Sequence, residues 1–574
     1  MFRLTCAVAL AAPLLAAAGD PYDYKALVKR DVPPASVSTN AAGRILADFG
    51  KDAFGWLELD GDEPGPYEIA IGEMTNSCGE VTNEYPRSTI RARRLSGVKP
   101  KGRYRIPMDP DPVNTRGYDP KAPAIRMPDG IGVVFPFRYA EVFKAPAAAL
   151  RQIAVNYPID MHKSAFACDN DNLCRVYEFC KYSVLATSFC GIYVDGDRER
   201  TPYESDAYIN QLGNYAIDDD GSLARRSHEW LMEHSTWPTE WRQHSIMMAW
   251  ADWMWTGDTR SIAKYYSRLA GEKLMGRYAR ESDGLLVTGG ERRKGALPGA
   301  ADIVDWPPAS RDGFVFTPVN AVVNAFHHLN LVQLSEIARA LGKDSDAADF
   351  AVRAERVRHA YQKAFYRESA GAYADGEGAD HCSLHANAAA LAFGLVPAER
   401  VDRIADFVES KGMACSVYFA QYVLEALFRA GRDRAAVGLM AARGDASWMG
   451  MIEFGSTITM EAWSVKDKPN LDLNHPWGAA PLNIIARFVL GVSPLEPGFG
   501  RVSIRPRLGG LRHVHGTVPT AAGAVCVDAT PDRLEFVSPV PAVVEFGGRK
   551  EEFPAGRHVV DGKTAMQEAK SRER

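Results

Sequence analysis

Little in this chain of 574 residues points to a charged partner or a membrane. Lys and Arg number 67 against 72 Asp and Glu, a net charge of −5. That imbalance is too small to make nucleic acid or an anionic bilayer an expected partner. Beyond the extreme N-terminus no apolar run reaches membrane-spanning length, so no membrane insertion is expected. Nine cysteines lack the paired spacing of a zinc site. His327 and His328 point to different sides of one helix, and His381 with His385 lacks the adjoining glutamate of a zinc protease. The acidic run Asp218–Asp220 does not have the ligand spacing of an EF-hand. No metal is therefore expected. No fixed repeat period runs through the chain either, which argues against a solenoid.

What is present begins with a secretory pattern. Arg3, the apolar stretch Leu4–Leu15 and the small residues Ala16–Ala18 read as a signal peptide over residues 1–18. The mature chain is expected to start near Gly19, secreted or periplasmic. Of its eight remaining cysteines most are expected to be free and buried, with room for one disulfide.

From Ser36 to Lys144 short apolar runs alternate with Gly, Pro and Asp, the pattern of a β-sandwich. They are Ile45–Gly50, Gly55–Asp60, Tyr67–Gly72 and Ile131–Phe137. The basic, Pro-rich stretch Arg87–Lys121 is expected to be a long loop. Near Asp169 the period changes to that of a helix: Leu173, Val176, Tyr177, Cys180 and Val184 share a face behind Asp169 or Asn170 as N-cap. Ten to twelve helices follow up to about Val489, a number that suits an α/α toroid, with an inner ring of helices wrapped by an outer one. Strand patterns return after Pro494. The expected fold class is multidomain α + β: an N-terminal β-sandwich over 19–155, a helical toroid over 160–492 and a small C-terminal β-domain over 493–565.

The densest chemistry lies just after the first helical run. Between Asp195 and Asp206 stand five carboxylates (Asp195, Asp197, Glu199, Glu204 and Asp206) and two arginines, Arg198 and Arg200. Such a run is often only a solvated loop. Here it is bracketed by apolar and aromatic residues, and closely placed carboxylates in unlike environments are what acid/base cleavage of a glycosidic bond requires.

The segment Arg198-Glu-Arg-Thr-Pro-Tyr-Glu-Ser-Asp206 resembles the Arg-Glu-Arg-Leu-Gly-Trp-x-Gly-Asp signature of bacterial α-L-rhamnosidases, glycoside hydrolase family 78. Gly455-Ser-Thr-Ile-Thr-Met-Glu-Ala-Trp463 is similar to that family's Gly-Ala-Thr-Thr-x-Trp-Glu-x-Trp segment, and Leu473-Asn-His-Pro-Trp-Gly-Ala479 to its Asn-His-x-x-x-Gly-Ala motif. Asp48–Leu59, Pro136–Val142 and Pro497–Pro506 resemble landmarks of its two β-domains. The resemblance implies an (α/α)6 toroid and an inverting hydrolase that releases terminal α-L-rhamnose with no required cofactor. It implies Glu199 as general acid and Glu461 as general base, their carboxyl groups at the wide spacing of roughly 6.5–9.5 Å that admits a water. Asp195, Arg198, Tyr203, Asp206, Trp306, Trp463 and His475 are the expected sugar-binding residues, with Asp305 a weaker candidate. Three alternatives stay open: the same scaffold acting on another deoxy or uronic sugar, a non-catalytic sugar-binding relative, and a lyase using Tyr203 and His475.

Overall fold

A computed structural model describes residues 20–83, 89–112, 114–115, 123–291 and 297–562. The signal-like residues 1–18 lie outside that set, as does part of the Arg87–Lys121 stretch.

Eight N-terminal strands form one antiparallel sheet built around the sixteen-residue strand Ile45–Asp60. That strand pairs on its two sides with Phe135–Lys144 and Ala149–Asn156, its register shifting between Asp48 and Ala53. Alternation then divides its side chains between two cores. Ala47, Phe49, Leu57 and Leu59 gather with Ile69, Ile71, Leu95 and Phe137 in a cluster of their own. Phe54, Trp56 and Ile153 join the main core of the helices, where Phe54 stacks on Phe189 at 3.6 Å. The stretch expected to be a loop contains the edge strand Ala92–Lys99, paired with Gly65–Gly72.

Thirteen α-helices are present among the described residues. Six of them touch in a closed order: Glu204–Ile217, Thr239–Thr256, Ala321–Ala340, Leu384–Ala392, Ala420–Arg429 and Ala480–Ile484, the last returning to the first. Ring helices are enclosed on all sides, and every residue of Glu204–Ile217 is buried. Outside the ring, Asp344–Phe365 buries one stripe, Ala347, Phe350, Ala354, Val357, Tyr361 and Phe365, spaced by three or four residues. Asn170 caps the first helix, Asp171–Ala186, by accepting from Leu173 N–H. Asp169, the alternative cap, instead accepts from Arg512 of the C-terminal domain at 2.8 Å. The helix Arg260–Arg268 is short: it passes into a π-turn over Leu269–Lys273 and stops at Met275, whose φ is +59°.

The C-terminal β-domain has two sheets of four and five strands. The fifth strand of the larger sheet is Ala165–Cys168, which precedes the first helix and pairs with Val514–Val518. The chain thus lays down one strand of its last domain before it enters the helices. No helix among the described residues is long and apolar enough to cross a membrane.

Candidate active site

The loop Asp195–Tyr203 enters the ring just ahead of helix Glu204–Ile217, and a second loop, Ser456–His475, lies against it. Gly196 makes that approach possible: a Cβ there would stand 2.9 Å from Asp472 Oδ2 and 3.0 Å from the Asn474 carbonyl oxygen. Arg200 adopts a left-handed φ of +51°, a conformation that costs a non-glycine residue about 1–3 kcal/mol. The turn is held because Arg200 donates to Asp197 Oδ1 at 2.6 Å and to the Val134 carbonyl at 2.9 Å. Glu199 is left facing the second loop.

Arg198 joins the two candidate catalytic carboxylates. Its guanidinium grips Glu461 with both prongs, Nη1 to Oε2 at 2.9 Å and Nη2 to Oε1 at 3.0 Å, while Nη2 also reaches Glu199 Oε1 at 3.1 Å. The nearest oxygens of Glu199 and Glu461 therefore stand no farther apart than the sum of two of those lengths, 6.1 Å. One guanidinium thus bridges the space between the two carboxyl groups.

Their surroundings differ. Glu461 is buried and accepts from Lys468 Nζ at 3.0 Å and the Asp472 backbone N–H at 3.1 Å as well as from Arg198. Burial alone would raise its pKa, but Arg198, His475 and Lys468 outweigh it and bring the carboxyl down to about 2, so Glu461 is ionised at neutral pH. Glu199 is partly open and its Oε2 accepts from the Tyr203 hydroxyl at 2.8 Å. Behind them Asp195 is buried and accepts from Thr201 N–H at 3.0 Å. Burial, reinforced by the Glu199 carboxylate, pushes Asp195 well above the ordinary carboxylate range. Asp206, in the first turn of its helix, accepts from His475 Nε2 at 2.7 Å.

The tryptophans are placed less directly. Trp463 is buried, with its edge against Trp448 and its indole N–H donated to the Cys415 carbonyl at 2.7 Å. Trp306 is partly open in a loop anchored by Asp305. Asp305 itself is buried between His385 Nε2 at 2.7 Å and the backbone N–H of Ser416 at 2.8 Å. It secures the loop and has no exposed oxygen to offer a sugar. Ser416 follows Cys415, so Trp306 and Trp463 are tied to one another through the backbone.

Several supports have no counterpart in the sequence reading. Lys468 and Asp472 sit on the second loop. Arg91 donates to Asp197 Oδ2 at 2.6 Å, and Thr89 donates to Asp472 Oδ1 at 2.5 Å. Asn474 accepts from Asp197 N–H at 2.9 Å and donates to the buried Glu73 at 2.6 Å. Only the Asn-His pattern and the density of charge in Lys466–Asp472 hinted at any of these.

Glu461, Asp472 and His475 bring one potential metal-ligating atom each within 4.8 Å of one another. Arg198 and Lys468 already neutralise Glu461, and Asp472 accepts from Thr89 and from the Arg198 backbone N–H. The protein's own cations fill the place a metal would take. The acidic run Asp218–Asp220 is likewise engaged, with Lys163 on Asp218 and Asp219 and Lys25 on Asp220. A cavity of about 510 Å3 beside that run, lined by Tyr215, Trp255 and Asp258, lies at the opposite end of helix Glu204–Ile217 from Asp206. That is roughly 14 Å from Asp206 to Tyr215 at 1.5 Å per helical residue, so volume does not mark the chemistry here.

Residues 161–489 match the family model described as the bacterial alpha-L-rhamnosidase 6 hairpin glycosidase domain. An α-L-rhamnosidase of Alteromonas sp. (strain LOR) is 26% identical over 263 residues, covering 42% of this chain and 27% of that protein. The chain thus spans about a quarter of the length of that relative. Among solved structures, the α-L-rhamnosidase of Dictyoglumus thermophilum superposes with a TM-score of 0.75 at 17% identity, over 93% of this chain and 64% of the other. That of Streptomyces avermitilis complexed with L-rhamnose gives 0.73 at 17%, over 92% and 53%. These likenesses establish a shared fold, and the match over more than half of the sequence establishes the family: the chain belongs to the bacterial α-L-rhamnosidase six-hairpin glycosidases.

Proposed function

We propose that the protein is an inverting glycoside hydrolase that releases terminal α-L-rhamnose from plant or algal glycans or glycosides, with Glu199 as general acid and Glu461 as general base. The observation that carries this reading is the unequal treatment of two carboxylates held together by one arginine. Glu461 is gripped by two cations and stays ionised, as a group that takes a proton from water must be. Glu199 has a neutral hydroxyl and one guanidinium, Nε and the shared Nη2 of Arg198, and is the more open of the two.

A sugar enters by replacing the Arg198–Glu199 contact. Arg198 keeps its bidentate hold on Glu461, and Glu199 turns to the glycosidic oxygen and gives it a proton. Glu461 takes its proton from a water on the far face of the ring. Tyr203, Asp195, Asp206 and His475 are the proposed sugar contacts. A neutral sugar suits the site, because Arg198, Lys468, Arg91 and Arg200 are all paired with carboxylates of the protein and a uronate would have to compete for them. Secretion or periplasmic export accompanies this reading.

Proton NMR of the first minutes of hydrolysis of an aryl α-L-rhamnoside tests it. The β-anomer of rhamnose is expected first. Initial α-anomer or a trapped glycosyl-enzyme would overturn the inverting mechanism, and release of aglycone only from other aryl α-L-glycosides would overturn the sugar.

A further inference from the structure

At the junction between the C-terminal sandwich and the first helix, two cysteines face each other. Cys168 ends the strand Ala165–Cys168, and Cys174 lies in the first turn of helix Asp171–Ala186. Their sulfurs are 3.6 Å apart. The Cys168 backbone N–H points at Cys174 Sγ at 3.4 Å, and Cys174 N–H donates to the Asn170 carbonyl, so the backbone holds both residues in place. Both are partly exposed, within reach of small oxidants.

We propose that Cys168 and Cys174 form a redox-active pair that closes to a disulfide and locks the corner between the strand Ala165–Cys168 and the helix Asp171–Ala186. A disulfide has sulfurs about 2.05 Å apart, so closure asks the two atoms to approach by roughly the width of one atom. Side-chain rotation of two partly open residues supplies that.

The chemistry balances with a disulfide such as oxidised glutathione as oxidant. The Cys174 thiolate attacks one glutathione sulfur and expels the other as a thiolate, leaving a mixed disulfide on Cys174. Cys168 loses its proton and attacks Cys174 Sγ, expelling the second glutathione thiol. Two protein thiols lose two electrons and two protons, and one oxidised glutathione becomes two thiols. Cys174 is the better first nucleophile: the hydrogen bond from Cys168 leads in lowering it to about 6, against burial and the neighbouring Asp171 and Glu178, while the same bond raises Cys168. A thiolate in the first turn of a helix is also favoured by the helix dipole.

The disulfide closes a short loop at a corner that is otherwise held from outside. Ala165–Cys168 pairs with Val514–Val518, and Asp169, next to Cys168, accepts from the side chain and backbone N–H of Arg512. Locking the corner fixes the direction in which that strand meets the helix.

The test uses the full-length protein equilibrated in glutathione buffers, with free thiols alkylated and peptides identified by mass spectrometry. In excess oxidised glutathione the peptide joining Cys168 to Cys174 is expected, lighter by two hydrogens than its reduced form. Cys168→Ser is expected to trap glutathione on Cys174, and the oxidised wild type is expected to melt at a higher temperature than the reduced, a difference both Cys168→Ser and Cys174→Ser abolish. Two alkylatable thiols at these positions in excess oxidant, or either residue bonded to a different cysteine, would overturn the proposal. A melting difference that persists in both variants would show that the disulfide is elsewhere.

Discussion

The N-terminal sheet sends Thr89, Arg91 and Glu73 into the candidate site, whereas the C-terminal sandwich meets the helices at their other end. There Phe499 packs its ring on Trp255, Gly498 touches Gly257, and Arg507 binds Asp433 and the Phe428 carbonyl. Both flanking domains bury apolar surface against the ring, but among the described residues only the first donates hydrogen bonds to the loops that carry Glu199 and Glu461. Sequence order does not explain this, since both domains adjoin the helical part directly. Geometry does. The ring helices carry their site residues at one end, as with Asp206 in the first turn of Glu204–Ile217, and each β-domain caps one end.

The scale against which either flank is judged comes from the centre. Glu199→Gln and Glu461→Gln are each expected to lower kcat by about 10²–10⁴-fold, the range for losing a positioned acid or base. Thermal unfolding should move little for Glu199→Gln. Glu461→Gln removes the partner of two buried cations and is expected to destabilise as well. Steady-state rates on an aryl rhamnoside beside melting curves separate the two, and near wild-type turnover in either variant would remove that residue from the mechanism.

Next in size is the N-terminal support. Arg91→Ala leaves Asp197, which has no exposed surface, with Arg200 as its remaining ion-pair partner among those described here. The loop bearing Glu199 should shift, and a misplacement near 1 Å costs up to about 10²-fold in rate. A fall in kcat of about 10- to 100-fold, with the folded fraction retained, is the expected result. Unchanged kcat would mean the sheet merely covers the ring.

The contrast extends to pH. Asp52 and Glu73 are buried together where the N-terminal sheet meets the second loop. Burial leads in pushing Asp52 up to about 7 and Glu73 well above its ordinary range, each reinforced by neighbouring carboxylates. In the unfolded chain both titrate near pH 4. Between those limits the folded protein holds more protons, so their contribution to stability is full below about pH 4 and falls as pH rises through about 7. Glu461 behaves oppositely: its carboxyl is lowered to about 2, so its contribution is full above about pH 4.5 and lost only as pH falls toward 2. Calorimetric melts from pH 4 to 8 should decline for the wild type and decline less steeply in Asp52→Asn/Glu73→Gln, where Asp195 still titrates upward. An equal slope in both proteins would sink the assignment.

How much of this could be read beforehand depends on how far apart in sequence the partners lie. Helices with an apolar stripe or a clear cap, such as Asp344–Phe365, were legible within a residue or two because the signal is local. Glu199 and Glu461 were legible through the motifs around them. Arg91, Thr89 and Glu73 were not, because each acts on a residue more than a hundred positions away, and Arg91 and Thr89 sit in a stretch read as a loop. The strand Ala165–Cys168 was hidden for the same reason: four residues show no period, and their partner is Val514–Val518. The aromatic residues misled by type. Trp463 stands two residues from Glu461, yet its ring and N–H are turned to Trp448 and Cys415.

The smallest expected effect on turnover belongs to the C-terminal flank, and it sharpens the comparison most because stability and activity should part company there. Arg507 donates to both Asp433 and the Phe428 carbonyl, joining the sandwich to the ends of two helices. Hydrogen bonds to charged groups are worth about 1.5–3 kcal/mol each when removed, and Asp433 is partly solvated, so the lower end applies. Arg507→Ala should therefore unfold at a distinctly lower temperature or denaturant concentration. At temperatures where it stays folded, its kcat and KM should match the wild type, because no contact leads from Arg507 to either glutamate except through the length of the helices. A kcat that falls in step with Arg91→Ala would show that the ring transmits strain from end to end, and that the two flanks differ in distance rather than in role.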